Sequence, residues 1–450
     1  MKSGEGHTIY FLGIGGIGMS ALARYYHSEG YSVAGYDRTP SPLTKQLENE
    51  GMAIHYEDNP ALLPALIDFV VYTPAVPCDL NEFEALRQRQ LPILKRSQAL
   101  GRISESHYAI CVAGTHGKTT TTAMAAHIMH SCHVDTLAFI GGIANNFDSN
   151  LVLGKGNDSV MVVEADEFDR SFLQLRPDIS IINSIDADHL DIYGDKQHLV
   201  QSFNDFAHLT TQCVIVKEGL GIEAANAIRF GFGENCDYQA TIHNSERGTT
   251  RFGIVHNGQA TEITLPMAGR HNVLNATAAF AAACEKGLKP TDIAQALASF
   301  KGVKRRFDIR VNNEHHCYID DYAHHPEEIK SCLLAVREAF PTKRITLVFQ
   351  PHLFSRTRDF MDGFADVLAL ADELVLLDIY PARESPIEGI SSAALLGKVQ
   401  MTDKKLVAKS ELIALIDSEK PELLITMGAG DIDRFVEPLE NLIKKWQGRY

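Results

Sequence analysis

At 450 residues the chain is too long for one hydrophobic core and is read as two to four domains. Its 45% hydrophobic and 22% charged residues are those of an ordinary globular protein, and a net charge of −15 leaves no basic footprint for nucleic acid. No run of about 18 apolar residues occurs, so no membrane insertion is expected. Residues 1–7 are polar, so no signal peptide is expected, and eight scattered cysteines without a C-x-x-C pair fit a reducing, cytoplasmic setting.

In chain order, residues 7–12 read as a short buried strand, followed by Gly13-Ile-Gly15-Gly16-Ile-Gly18 and a helix to about residue 29. Residues 31–36 form a second strand that ends at Asp37. Strand, G-x-G-x-x-G, helix, strand and acidic residue make a dinucleotide-fold fingerprint. The same glycines would suit any pyrophosphate at a helix N-terminus, or serve only close helix–strand packing. A helix at 42–50, a strand at 69–72 and a helix at 81–89 continue the alternation. The first domain is expected to span residues 1–106.

A second domain, 107–303, opens on the stretch that organises the reading. The apolar run 109–113 meets Gly114-Thr115-His116-Gly117-Lys118-Thr119-Thr120 and then a helical pattern from Ala123 to Met129. This is the layout of a phosphate-binding loop, whose glycines let backbone N–H groups converge on phosphate oxygens. Lys118 would reach the β/γ-phosphates of ATP and the Thr119 hydroxyl would sit on Mg²⁺. Val112 stands where the first glycine of G-x-x-x-x-G-K-[ST] would fall, and four consecutive threonines, 119–122, are poor residues with which to open a helix.

Strands at 159–163 and 179–185 run into Glu164-Ala-Asp166-Glu167-Phe-Asp169 and Asp186-Ala-Asp188-His189, and a third strand is expected at 212–216. In a parallel sheet both acidic clusters emerge on the edge that carries the loop, where Glu164 and His189 could join Thr119 around a metal. The alternative is a solvated acidic loop. Residues 229–266, with Asn257-Gly258 among aromatics, suggest hairpins in a small antiparallel patch. His271, Asn272 and Asn275 head an alanine-rich helix and offer donors and acceptors for adenine, or cap the helix. A further helix, 292–300, is started by Thr291.

Lys304-Arg305-Arg306-Phe307 reads as a hinge into a third domain, 304–450. Strands at 317–319, 345–349, 373–378 and 423–427 alternate there with helices at 327–339, 358–370 and 431–445. Asp320-Asp321-Tyr-Ala-His324-His325-Pro326 and Phe349-Gln-Pro-His352 follow strands, and Arg356 in Ser355-Arg-Thr-Arg358 could clamp a phosphate or carboxylate bidentately.

Taken together and in order, these motifs, with Asp378-Ile-Tyr-Pro-Ala-Arg-Glu384, resemble the Mur ligases over residues 9–431. The resemblance implies an α/β protein of three domains: a Rossmann-like N-terminal domain for a UDP-sugar, a central P-loop ATPase domain with a mostly parallel sheet, and a Rossmann-like C-terminal domain. It implies an ATP-dependent ligase of peptidoglycan synthesis that joins L-alanine to UDP-N-acetylmuramate through an acyl phosphate, with ATP as co-substrate and Mg²⁺ as cofactor. On this reading Gly13, Gly15, Gly16, Gly18 and Asp37 serve the UDP-sugar, not a nicotinamide. Gly114 to Thr120 and Lys118 take the ATP phosphates, and Thr119, Glu164 and His189 hold the metal. His271, Asn272 and Asn275 line the adenine side, Arg306 and Asp321 serve phosphate and ribose, and His324 and Arg356 approach the reacting carboxylates.

Some members of the family use a carbamylated lysine; no clear equivalent stands in this chain, which agrees with the alanine-adding branch. A recycling branch that attaches the L-Ala-D-Glu-diaminopimelate tripeptide is the runner-up. An NAD-dependent oxidoreductase would leave the phosphate loop unexplained, and a nucleotide-binding switch would leave the third-domain motifs unexplained.

Overall fold

The computed structural model describes residues 6–77, 79–156, 158–186, 196–382 and 384–446. Its elements follow from apolar runs alternating with amphipathic helical stretches. The first are β1 (Thr8–Leu12), α1 (Ile17–Ser28), β2 (Ser32–Tyr36), α2 (Pro42–Asn49), β3 (Ala53–His55), β4 (Phe69–Tyr72), α3 (Asn81–Gln88), β5 (Ile93–Lys95) and α4 (Arg96–Ser104). The five strands pair in parallel in the order β3-β2-β1-β4-β5, a Rossmann arrangement. Ile9, Tyr10, Phe11 and Leu12 are all buried, because a central parallel strand is covered on both faces and needs apolar residues without alternation.

The next elements are β6 (Tyr108–Ala113), α5 (Lys118–Ser131), β7 (Thr136–Ala144), β8 (Ser149–Val152), β9 (Val160–Glu164), β10 (Ile179–Ile182), α6 (Lys196–His208), β11 (Cys213–Lys217), β12 (Ala227–Gly231), β13 (Tyr238–Glu246), β14 (Thr249–His256), β15 (Gln259–Leu265), α7 (Arg270–Glu285) and α8 (Pro290–Ala298). Their sheet runs β15-β14-β13-β12-β11-β10-β6-β9-β7-β8. β6 lies between β9 and β10, parallel to both, so the ends of all three strands point to one edge.

The last elements are β16 (Asp308–Asn312), β17 (Cys317–Asp321), α9 (Pro326–Ala339), β18 (Ile345–Phe349), α10 (Phe354–Asp359), α11 (Met361–Leu368), β19 (Glu373–Leu376), α12 (Ser392–Lys398), β20 (Lys404–Leu406), α13 (Leu412–Glu419), β21 (Leu423–Met427) and α14 (Val436–Trp446). The six strands are ordered β16-β17-β21-β18-β19-β20, parallel except for the edge strand β16.

The chain divides into two compact units. One takes in Met1–Thr241, Ile254–Ile263 and Leu274–Phe300; the other takes in Ile242–Gly253, Thr264–Val273 and Lys301–Tyr450. Within the first unit one apolar cluster runs from Phe11 of the five-stranded sheet and Met19 and Tyr26 of α1 to Phe139 of the central sheet and Phe172 and Phe203 beside it. Arg24 of α1 adds a hydrogen bond to Asn150 of β8, 2.9 Å. In the second unit Tyr318, Val348, Val375 and Leu424 meet Leu439, Ile443 and Trp446 of α14.

Several elements depart from the sequence reading. α5 begins at Lys118, not Ala123, and buries all four threonines. Packing of α5 outweighs their weak helix propensity, and Asn183 donates to Thr121 Oγ1 at 2.8 Å. Residues 229–266 carry the expected hairpins, β13, β14 and β15 being neighbours joined by two-residue turns at Arg247-Gly248 and Asn257-Gly258, but β12 pairs in parallel with β11 and with β13, so the stretch extends the central sheet. β7, β8 and β16 were not expected. The helix expected at 358–370 is two, α10 and α11, meeting at Phe360. α8 starts at Pro290 with Lys289 as its N-cap, so Thr291 lies inside it.

Candidate active site

The phosphate-type loop joins the end of β6 to α5, and its conformation is set by a neighbouring strand end. Thr115 N–H donates to the Ser184 carbonyl (3.1 Å) and His116 N–H to Ser184 Oγ (2.8 Å), while Asp186 N–H donates to Thr115 Oγ1 (3.0 Å). The N-cap of α5 is Gly117 at φ +81°, a left-handed conformation suited to glycine, and it brings no side chain to cap the helix. A Cβ there would come within 2.5 Å of Asn275 Oδ1. The sequence therefore leaves a bare helix N-terminus, which favours an anion.

Lys118 folds back over this loop. Its Nζ donates to the Gly114 carbonyl at 2.8 Å and to both carboxylate oxygens of Glu167, at 2.9 and 2.7 Å. Burial works against the ammonium charge, but Glu167, Asp166 and Glu164 overcome it and hold the Lys118 pKa above its ordinary value. Glu167 thus belongs to the site. The sequence reading placed it in the acidic cluster without a role, because spacing did not tell which carboxylate would face the lysine.

Glu164 ends β9, beside Val112 of β6. Its Oε2 accepts the N–H of Gly141 at 3.1 Å, and any Cβ at Gly141 would collide with that carboxylate. The glycine keeps a cradle open for an oxygen donor near the loop. A hydroxyl at Thr119, the second residue of α5, and a carboxylate at Glu164 are hard oxygen donors of the kind that Mg²⁺ takes. Asp188 and His189 lie outside the described residues. Among the described residues no cluster of three or more His, Cys, Asp or Glu side chains is placed to hold a metal.

The first glycine loop is built differently. Gly13 and Ile14 N–H both donate to the Tyr36 carbonyl, at 2.8 and 3.1 Å, and Gly15 N–H donates to Asp37 Oδ2 at 2.8 Å. Asp37 closes the loop from within. The guanidinium of Arg96, at the start of α4, fills the space beside Gly18, where an added Cβ would be 2.6 Å from Nη1. Arg96 also donates to Asp166 Oδ2 at 3.2 Å, and Lys95 to Asp169 Oδ2 at 2.8 Å. These contacts tie the first glycine loop to the acidic loop beside Lys118. Nothing in the spacing of Lys95 and Arg96 marked them.

The second unit holds a cluster of its own at the ends of β17 and β18. Asp321 accepts the N–H of Phe307 (2.6 Å) and of Ala323 (2.7 Å), and burial lifts its pKa to about 6 against the pull of Arg306. The Arg306 guanidinium lies 4.9 Å from the Tyr322 ring centroid. His324 Nδ1 is 2.9 Å from the Tyr322 carbonyl, so Nδ1 carries the proton and Nε2 is the free acceptor. Burial lowers its pKa, Glu328 opposes and Arg356 adds to the lowering. The imidazole of His352 lies edge-on to His324, 6.1 Å between centroids, and stacks on Tyr380. Burial, His324 and Arg356 bring His352 down to about 4. Arg356 Nη1 is 3.5 Å from His352 Nδ1, whereas Arg358 is exposed and paired with Asp359.

Of the three residues expected on the adenine side, Asn275 reaches the phosphate loop at Gly117. Asn272 donates to the Ala268 carbonyl at 2.7 Å, a bond that secures the turn entering α7. His271 packs against Gly269, and burial draws its pKa down to about 4. Thr120 lies inside the first turn of α5 and is buried.

A lysine-bearing glycine loop on a parallel sheet, with carboxylates at the neighbouring strand end, puts the chain in the class of phosphate-loop α/β proteins. Family models divide it more finely: a "Mur ligase family, catalytic domain" matches residues 8–108, a "Mur ligase middle domain" residues 112–283 and a "Mur ligase, glutamate ligase domain" residues 305–430. The chain belongs to the Mur ligase family. It is 47% identical over 457 residues to the UDP-N-acetylmuramate–L-alanine ligase of Cytophaga hutchinsonii, covering 98% of each chain. It is 47% identical over 443 residues to that of Christiangramia forsetii, covering 96% of this chain and 97% of the relative. Among solved structures it resembles the UDP-N-acetylmuramate–alanine ligase of Thermotoga maritima, with a TM-score of 0.83, 30% identity and coverage of 98% and 100%. A murein peptide ligase from Psychrobacter arcticus gives a TM-score of 0.72 and 25% identity, covering 97% and 99%.

Proposed function

We propose that this chain is an ATP-dependent ligase that joins L-alanine to UDP-N-acetylmuramate, the first stem-peptide step of peptidoglycan synthesis. The observation that carries this reading is identity of 47% along 98% of the chain to a relative of that name, in a fold that presents the lysine-bearing loop. The murein peptide ligase of the recycling branch is more distant in both identity and TM-score. The relatives and solved structures named above are ligases, not oxidoreductases.

In this reading residues 1–106 hold the UDP-sugar at Gly13, Gly15, Gly16, Gly18 and Asp37, residues 107–303 hold ATP, and residues 304–450 serve the amino-acid side. Lys118 and the bare N-terminus of α5 bind the phosphates. Mg²⁺ would be held by Thr119, Glu164 and His189, and when bound would offset charge on the transferring phosphoryl group. Arg306 and Asp321 serve the nucleotide's phosphate and ribose, and Asn272, Asn275 and His271 its base.

A carboxylate is a poor electrophile, so the lactyl carboxylate first takes the γ-phosphoryl group; the acyl phosphate then accepts the alanine amine and releases phosphate. Arg356 holds carboxylate charge. His324, kept neutral by burial with its Nε2 free, takes the amine proton. ATP and a sugar nucleotide as substrates support a cytoplasmic reaction. Among the described residues no helix is long and apolar enough to cross a membrane.

The test is phosphate release from ATP and Mg²⁺ with UDP-N-acetylmuramate, with L-alanine, D-glutamate or the tripeptide supplied in parallel. Release with L-alanine alone is expected. Release only with the tripeptide would move the chain to the recycling branch, and silence from folded, ATP-binding protein would sink the ligase reading.

A further inference from the structure

The pair between Lys118 and Glu167 has no part in the steps above. The ammonium has three donors, and the Gly114 carbonyl and both Glu167 oxygens take them up. The Glu167 side chain is 1% exposed and that of Lys118 14%. A buried carboxylate or ammonium is tolerated when it has a counter-charge, and each supplies the other's. The phosphates of ATP would bring a second anion to the same ammonium.

The two partners are not equally free to adjust. Around Glu167 the loop is tied: Asp166 accepts from Arg96 (3.2 Å) and from Phe168 N–H (3.1 Å), and Asp169 pairs with Lys95 (2.8 Å). Asp169 and Arg170 hold left-handed backbone, φ +54° and +53°, and Arg170 N–H closes a turn on the Glu167 carbonyl. Lys118 has a four-carbon stem rooted at the first residue of α5, beside the bare helix N-terminus. The lysine side chain is the part that can swing.

We propose that Glu167 is a positioning residue that stands in for the nucleotide's phosphate: it holds the Lys118 ammonium before ATP arrives and surrenders it on binding, so that it limits ATP affinity. The inference rests on the reading that Lys118 takes the ATP phosphates. Glutamine keeps the size of the side chain and one acceptor but removes the competing charge. Glu167→Gln in the full chain is expected to lower the KM for ATP about three- to tenfold, the scale of a charged against a neutral hydrogen-bond partner. The KM values for UDP-N-acetylmuramate and L-alanine should stay put, and an unreactive ATP analogue with Mg²⁺ should raise Tm more in the variant than in the wild type.

An ATP KM that is unchanged or higher overturns the proposal. So does a fall in kcat at constant KM, which would mean that the carboxylate stays with the lysine through phosphoryl transfer. A merely structural carboxylate would lower Tm equally with and without nucleotide, which also overturns it. If the glutamine variant does not fold, Glu167→Asp, which keeps the charge but withdraws it by one methylene, should move the ATP KM the same way. Lys118→Ala separates the two readings. If it binds ATP like the wild type, the phosphate-loop reading falls and this inference with it; if it loses ATP while Glu167→Gln leaves affinity alone, only the inference falls.

Discussion

Two glycine loops at the ends of parallel strands lie in the same compact unit, and they treat charge in opposite ways. The loop after β1 closes on a carboxylate: Asp37 accepts Gly15 N–H, and the Tyr36 carbonyl takes Gly13 and Ile14. The loop after β6 closes on a cation: Ser184 takes Thr115 and His116, Gly117 leaves the helix end bare, and Lys118 reaches back across it. Glycine spacing makes both turns. The neighbouring side chain decides what each turn can hold, and only the second presents its helix dipole together with an ammonium.

That contrast can be tested from its strongest side down. Lys118→Ala should remove about three orders of magnitude or more from kcat with all substrates saturating, the scale of losing a charge-stabilising group at phosphoryl transfer. Wild-type turnover would show that the second loop does not work through its cation. Asp37→Ala should raise the KM for UDP-N-acetylmuramate about tenfold, the worth of one charge-assisted hydrogen bond, and leave the KM for ATP unchanged. A change in the ATP value instead would mean that the two loops are not separate in function.

Gly117→Ala puts a side chain at φ +81° and against Asn275, and should cost about 1–3 kcal/mol of stability, read as a lower Tm in thermal unfolding, with weaker ATP binding. An unaffected Tm would show that the turn relaxes without strain. The smallest effect concerns α7, the helix that brings Asn275 to this loop. His271 on that helix is lowered by burial from 6.5 to about 4. Between those values the unfolded chain binds the proton and the native one does not. Its contribution to stability is therefore present above pH 6.5 and is lost as pH falls toward 4. His271→Gln should flatten that part of the stability-against-pH curve, measured by denaturant unfolding; an unchanged slope between pH 6.5 and 4 would assign the acid sensitivity elsewhere.

Much of the fold was legible. The strands at 69–72, 345–349 and 423–427 stand where the apolar runs put them, because parallel strands covered on both faces read as unbroken apolar segments. β7 and β8 were not legible. β7 contains Gly141-Gly142, and its Gly141 is needed for the approach of Glu164 from β9, a reason that lies in another strand. The start of α5 was misjudged for a related reason: the propensity of four threonines is a local quantity, and their burial is not. In the third domain the titratable residues at 320–326 and 349–358 were visible as types. That His324 is the partly buried imidazole whose pKa is drawn down, and that His325 instead caps α9, follows from packing.

The sequence by itself determined the alternation of strands and helices, the positions of both glycine loops, and the kinds of residue that stand at the strand ends. Only the tertiary structure decided that Glu167 and not Glu164 meets Lys118, that Asp37 closes its own loop, and that Asn275 of the trio on α7 reaches the phosphate loop. The physical reason is that periodicity along a chain tells which end of a strand a residue occupies. Which side chain it then meets depends on the strand beside it, and that neighbour comes from a distant part of the sequence.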